Sequence, residues 1–405
     1  MTGYDVVATG LGAIGPWGAD QGALARALFA GRPLAREIEK SAPLSPSASR
    51  LAALVPEIDL SRWLPASTAR RLGRPSRWAV AAARIALADA GLGSLEGRRI
   101  AVVLSTSFGA VLFTEKLVHQ ILVEGPESAQ PFYFSECVAN AAAAQVALAL
   151  GARGANVTVT QREAGPLVAL ARGAAEVREG RADVALVGAA DEMSPLLHGV
   201  LDRFGATARG DGERDEAPRP FDAARSGLLA GEGASVLVLE RADDARARGA
   251  ARSVRVAATA GAFDPSASPN DWGEGDAALA KGLARALDRA GRGMDRIDLV
   301  VAGASGSRRG DRLEGRVLGR AGAGRALPPV LVPKAVTGEY GGGQLAAAYL
   351  AARGTPFGAV AALTSVEPGL PVVVHDGASL PPPQALLVSA LAAGGAGAWA
   401  VLEPA

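Results

Sequence analysis

The sequence has one cysteine, Cys137, and three histidines, His119, His198 and His375, in 405 residues. A single cysteine permits no intrachain disulfide and no cysteine-based metal cluster, which excludes a secreted disulfide scaffold. Aromatic residues are scarce, 18 in all. Charge of either sign is not in excess: 42 basic and 41 acidic residues leave a net +1. Such a chain has no global field to hold nucleic acid or an anionic membrane. Lysine is rarer still. Only Lys40, Lys116, Lys281 and Lys334 occur, and the other 38 basic residues are arginines. Arginine is the default cation, so each lysine carries more information than usual. The opening MTGYDVVATG lacks a basic region ahead of an apolar stretch, so no signal peptide is expected and a cytoplasmic location follows. The longest uncharged apolar stretch, 385–402, approaches the length of a membrane span. Gly394, Gly395 and Gly397 interrupt it, and it reads as a buried hairpin.

Small residues are what the chain has in abundance, with 88 alanines and 51 glycines. At 49% hydrophobic and 20% charged it is expected to be a globular protein with a large core. Short β-branched runs alternate with Ala/Leu-rich stretches. Strands are expected over 5–9, 100–105, 184–188, 235–239, 254–257, 299–302, 330–332, 360–364, 386–389 and 399–402. Helices are expected over 77–90, 167–179 and 276–289; the second places Leu167, Leu170, Ala171, Ala174 and Val177 on one face. This alternation implies an α/β protein with largely parallel sheets. Residues 206–217 read as a polar surface loop, and 263–275 as a second turn-rich stretch. The rhythm restarts near residue 250, giving two halves of similar build, 1–245 and 246–405.

Six segments in order carry a resemblance: VVATGLGAIGPWG at 6–18, RWAVAAARIALADAGL at 77–92, GRADVALVGAADE at 180–192, RPFDAARSGLLAGEGASVLVLE at 219–240, SGSRRGDRLE at 305–314 and VPKAVTGEYGGG at 332–343. Together they resemble the β-ketoacyl-acyl carrier protein synthases of the thiolase superfamily. The resemblance covers essentially the whole chain and implies the thiolase fold, two similar halves in a five-layer α/β/α/β/α arrangement.

The departures fall on the catalytic positions. A condensing ketosynthase needs a thiolate at a helix N-terminus, where the macrodipole lowers its pKa. It also needs two histidines to stabilise the enolate and oxyanion. Matched residue by residue, the nucleophile position falls on Glu163, the first histidine on Gly303 and the second on Glu339. Cys137 lies well upstream and reads as a small buried apolar residue. The three histidines lie in none of these motifs and read as surface or satisfied core residues. Lys334 matches the family's lysine and Glu314 its glutamate, and the resemblance implies a retained structural ion pair between them. This pattern resembles the chain length factor, or ketosynthase β subunit, of type II polyketide synthases. That branch usually carries Gln where Glu163 stands, so a sub-branch such as one making reduced polyenes is admitted.

The resemblance implies a non-catalytic subunit that pairs with a catalytic ketosynthase α subunit and shapes the polyketide tunnel. An acyl carrier protein with phosphopantetheine-linked chains would deliver substrate, and no cofactor or metal is implied. A carboxylate at position 163 is favoured in its ionised form by the helix dipole, by about 0.3–1 kcal/mol. It cannot then donate a hydrogen bond, and it reads as a cap for its helix or a partner for a nearby arginine. Val157, Thr158, Val159 and Thr160 are expected at the dimer two-fold. Phe108, Val111, Leu112, Glu115 and His119 are gate or tunnel candidates, with core packing or plain exposure as the alternative. Arg70, Arg71, Arg74 and Arg77 are candidates for docking an acidic carrier, or form a solvated basic face. The family's gating loop falls on 391–395, with Ala393 in place of its aromatic. Two rival functions stand: a decarboxylase or acyl transferase using Glu163, with Glu339 as a carboxylate pair, or a homodimeric acyl-binding scaffold.

Overall fold

The computed structural model describes residues 3–39, 49–251 and 253–405. Ten strands form the main sheet: β1 (Val6–Ile14), β2 (Ile100–Ser105), β3 (Asn156–Val159), β4 (Val184–Asp191), β5 (Gly233–Arg241), β6 (Val254–Phe263), β7 (Leu299–Val301), β8 (Val330–Leu331), β9 (Leu386–Leu391) and β10 (Ala396–Pro404). Their order is β8-β7-β9-β10-β6-β1-β5-β4-β2-β3. Outward from the centre, the first five strands run β1-β5-β4-β2-β3 and the last five β6-β10-β9-β7-β8. In both sets the first two pairings are antiparallel and the next two parallel. The sets meet at a short antiparallel join, Val7 opposite Arg255 and Ala8 opposite Val254.

Seven helices complete the frame: α1 (Arg74–Asp89), α2 (Val111–His119), α3 (Ala141–Leu150), α4 (Gly165–Arg178), α5 (Asp276–Arg289), α6 (Arg308–Gly322) and α7 (Gly343–Ala352). Strand alternation sends neighbouring side chains to opposite faces. Ala101 and Val103 of β2 join a central core with α4 and α7. Ile100, Val102 and Leu104 face an outer core with α1 and α3. In the second set, Val300, Leu387 and Trp399 face an outer core with α5 and α6. The result is five layers, α1/α3, sheet, α4/α7, sheet, α5/α6, the thiolase arrangement expected from the motifs. Because helices cover both faces, β4 is buried along its whole length and is free of polar side chains until Asp191 at its end. Small residues set the layer spacing. A Cβ on Gly12 would stand 1.9 Å from the Ala82 carbonyl oxygen, so α1 packs directly onto the β1 backbone.

Local chemistry explains most boundaries. Pro75 and Pro166 occupy the first turns of α1 and α4, where a missing N–H is harmless. The Ser307 hydroxyl accepts from the Gly310 amide to start α6. The stretch 385–402 folds as the expected buried hairpin, β9 against β10. One expected strand is absent: 360–364 forms turns. The Thr364 and Ser365 amides and the Thr364 hydroxyl donate to the Asp222 carboxylate, so a side chain takes the donors a ladder would use. The loop 206–217 is not a surface loop throughout, since Thr207 and Ala208 are buried while residues 210–215 are exposed. Among the described residues, no helix is long and apolar enough to cross a membrane.

Candidate functional site

Residues 163, 303 and 339 converge where α4 begins, beside the end of β7 and the Lys334–Thr337 turn of helix. Arg162, at φ 44°, takes a left-handed conformation at the entry to α4, as does Tyr340, at φ 83°, beside Glu339. Such non-glycine conformations cost about 1–3 kcal/mol each and persist only where the surroundings impose them.

Lys334 and Glu339 form a buried ion pair. The ammonium lies 2.7 Å from Oε1 and 3.0 Å from Oε2, with the residues 4% and 2% exposed. The Tyr340 amide also donates to Oε1. This corrects the expected Lys334–Glu314 pair, which is not made directly. Glu314 accepts instead from the Gly303 amide at 3.0 Å and the Ser389 hydroxyl at 2.6 Å. Burial pushes Glu314 up to about 7, while those two donors and the charge of Lys334 act against the rise. The physical reason is the acid at 339. At this position the chain places a carboxylate within reach of the lysine, and the shorter path wins.

Gly303 is not a side chain merely trimmed away. A Cβ there would lie 2.9 Å from both the Ala390 Cα and the Ser389 carbonyl oxygen. Backbone on the neighbouring β9 strand therefore closes the space any histidine at 303 would need.

Glu163 neither caps its helix nor pairs with an arginine, contrary to the sequence expectation. Its residue borders a cavity, while its Oε2 is shut off from water and has no hydrogen-bond partner. Burial, then the charge of Glu339, push its carboxyl up to about 7; a hydrogen bond from its own backbone amide, then Lys334 and Arg162, act the other way. The Arg162 guanidinium turns outward to the Asn270 amide oxygen. Tyr340, partly buried, adds a hydroxyl whose pKa is pushed well above its ordinary value by desolvation and by Glu163 and Glu339.

The cavity measures about 540 Å³. Glu163 and Tyr340 contribute polar groups, Phe108, Leu201 and Phe204 an apolar wall, and Trp272 part of the outer rim. No cysteine or histidine lines it among the described residues, nor is there a cluster of three or more His, Cys, Asp or Glu able to hold a metal. Ala393 lines the cavity, at the β9–β10 turn expected to be the gating loop. Sequence reasoning missed Tyr340, Trp272 and the helix Pro195–Arg203, whose Leu197, Val200 and Leu201 reach the cavity. The signal for Tyr340 was its place beside Glu339; the others come from remote segments with no motif.

The gate candidates separate. Phe108 meets the Tyr340 ring edge-on at 5.0 Å, and its loop is fixed by Asp191, which accepts from the Ser107 and Phe108 amides and the Thr106 hydroxyl. Leu112, Glu115 and His119 line a second, open cavity of about 730 Å³. Val111 lines neither. Glu115 is not plainly exposed, since it accepts from the Ser194 hydroxyl. The Leu112 amide is held by Glu192 at 2.9 Å.

The arginine cluster divides too. Arg70 and Arg71 are exposed. Arg74 pairs with the buried Glu232 and lies over the Trp78 ring, and Arg77 donates to the Leu72 carbonyl. Those two guanidinia therefore hold the start of α1 and are not free for docking. Val157, Thr158 and Val159 belong to β3, the outermost strand of its end of the sheet, and Thr160 follows just outside it. Cys137 is only half-buried, its thiol donating to the Tyr133 carbonyl, which corrects the fully buried reading. His198 and His375 are buried with carbonyl partners, Leu51 and Phe357, and His119 is exposed.

Known proteins share this architecture. Residues 4–245 match the N-terminal domain of β-ketoacyl synthases. The chain is 32% identical to the tetracenomycin polyketide synthase ketoacyl synthase alpha subunit of Streptomyces glaucescens, over 82% of this chain and 80% of that one. It is 33% identical to the granaticin polyketide putative beta-ketoacyl synthase 1 of Streptomyces violaceoruber, over 76% and 75%. The ishigamide ketosynthase/chain length factor structure superposes with a TM-score of 0.87 at 29% identity, covering 99% of both chains. The chain belongs to the β-ketoacyl synthase family, and polyketide ketosynthases are among its relatives.

Proposed function

We propose that this chain is a chain-length-factor-like subunit that makes no carbon–carbon bond itself, pairs with a catalytic ketosynthase and shapes the tunnel that receives the growing polyketide. One observation carries the reading. The nucleophile position holds a carboxyl, the second histidine position holds a carboxylate tied to Lys334, and the first is a glycine with no room for a side chain. A thioester-forming nucleophile and both imidazoles are missing from a scaffold whose motifs are otherwise intact.

Two surface features support a partner. The β3 edge presents an unpaired ladder, which isolated proteins ordinarily cover. Val118, Ile121, Leu122, Val123, Phe132 and Phe134 are exposed on and beyond α2, an apolar face of the kind found at interfaces. The similar ishigamide structure is of a ketosynthase/chain length factor. Arg70 and Arg71 remain as docking candidates for a carrier protein.

The test is co-expression with a ketosynthase from the same organism that retains its Cys and two His, followed by size measurement and product analysis. The expected result is a stable heterodimer that makes polyketide only when both chains are present. Condensation or decarboxylation by this chain alone, or a homodimer indifferent to the ketosynthase, overturns the proposal in favour of the enzyme or scaffold alternatives.

A further inference from the structure

We infer that a cavity at the C-terminal end of α7 is a binding site for a small amine, an apolar body carrying one protonated nitrogen, with the Asp298 carboxylate as its counter-charge. The site is separate from the one beside Glu163 and does not rest on the proposed function. The two cavities share no lining residue. Asp298 precedes β7, whereas Gly303 lies beyond the other end of that strand.

The cavity measures about 320 Å³, room for a ring and a short chain. Leu299 of β7, Leu331 of β8 and Ala351 of α7 line it, and all three are buried. Phe357 and Phe29 add aromatic surface; Phe29, near the end of the Gln21–Ala30 helix, is 60% exposed. Pro381, Pro382 and Pro383 complete part of the wall. Their fixed φ stiffens it, and they bring no N–H.

Three observations select a cation. The first is charge. Arginine is abundant in this chain, yet no arginine or lysine lines the cavity among the described residues, and Asp298 is its only carboxylate. The Gln384 and Ala385 amides hold Asp298 Oδ2 at 2.7 and 3.0 Å, which fixes the carboxylate in place. Its Oδ1 takes no hydrogen bond from a described residue, so one oxygen is left for a ligand. The second is His375, buried and on the cavity wall, whose Nε2 lies 2.9 Å from the Phe357 carbonyl oxygen. In the neutral imidazole Nε2 therefore carries the hydrogen and Nδ1 is an acceptor. The third is the end of α7. Ala351 and Gly354 bring the negative end of that helix to the cavity. The Gly354 and Thr355 amides are already spent on the Ala351 and Leu350 carbonyls. Acceptors and negative charge thus converge on an aromatic, apolar space, a setting that favours an ammonium group and gives an anion nothing to pair with.

The experiment is calorimetric titration of the purified full chain at pH 7 with phenethylamine, phenethyl alcohol and phenylpropanoate, which share a ring and differ in charge. The amine should bind with a Kd of about 1 mM or tighter, as its size allows. The alcohol should bind about fivefold more weakly, and the carboxylate should give no measurable heat. Asp298→Asn keeps an oxygen for the two amides. It should weaken the amine by about fivefold while leaving the alcohol within about twofold. Ala378→Trp fills the space from an exposed position on the wall and should abolish binding of both. Circular dichroism checks that each variant is folded. Alcohol or carboxylate binding as tight as the amine, undiminished amine affinity in Asp298→Asn, binding retained by Ala378→Trp, or no amine binding at all overturns the inference. Should one variant not fold, the order of the three ligands on the native chain and the other variant decide.

Discussion

Replacing Lys334 with methionine removes the cation paired with the buried Glu339 carboxylate, while nearly preserving side-chain volume. The ammonium bonds both Glu339 oxygens at 2.7 and 3.0 Å, and both residues are almost fully buried. Breaking a buried pair by deleting one partner costs about 3–5 kcal/mol, chiefly because the other charge is left uncompensated. The loss extends beyond Glu339, since Lys334 also opposes the raised pKa of Glu163 and of Glu314. Without it the Glu163 and Glu314 carboxyls hold protons more tightly. The cost should therefore be full at pH 8, where they must be ionised or strained, and should shrink toward pH 5 as they protonate. Denaturant unfolding at both pH values, at fixed protein concentration and followed by tryptophan fluorescence, measures it. The double replacement Lys334→Met with Glu339→Leu should recover most of the loss, because it removes the stranded charge as well. A Lys334→Met variant within about 1 kcal/mol of the parent at pH 8, or a double variant less stable than either single one, would refute the reasoning.

Three further outcomes follow from the same structure. Glu192 is fully buried, its Oε2 lacks a partner, and burial pushes it up to about 7. Its folded pKa exceeds the unfolded one, so its contribution is fully present below about pH 4.5 and is lost as pH rises through about 7. Glu192→Gln should therefore gain up to about 3 kcal/mol relative to the parent on going from pH 4.5 to 8, read by unfolding at each pH. Arg74→Met strands the Glu232 carboxylate, which also accepts from the Val55 and Met193 amides at 2.9 Å. Because Arg74 is partly exposed, the expected loss is about 1–3 kcal/mol, checked by thermal unfolding. Leu112→Trp narrows the second cavity without touching the Leu112–Glu192 bond, which uses the backbone amide. Shorter products from the co-expressed pair are expected, and an unchanged product distribution at normal turnover removes Leu112 from the gate.

Most strands and helices could be read from residue patterns because buried parallel strands are short apolar runs and the helices that cover them are Ala/Leu-rich. The expected helix over 276–289 is α5 to the residue. The expected strand over 360–364 failed because its amides bond to Asp222, some 140 positions earlier, and no local pattern reveals a distant carboxylate. The arginines followed the same rule. Arg70, Arg71, Arg74 and Arg77 look alike in sequence, yet only Arg74 meets a buried acid, and only Arg77 wraps back to the Leu72 carbonyl.

The scarcity of cysteine and histidine, set against motifs that resemble the family's, is what points to Glu163, Gly303 and Glu339 as the positions where the resemblance places the reactive groups. Motif spacing is a property of the chain, so the resemblance can be followed residue by residue without coordinates. Which acid takes the lysine cannot. The resemblance pointed Lys334 to Glu314, and only the folded geometry gave Lys334 to Glu339, left Glu314 to an amide and a hydroxyl, and left the Glu163 Oε2 shut off from water without a partner. Ionisation and pairing depend on burial and on distances of a few ångströms between segments far apart in sequence, and those are set when the layers close around α4 and α7.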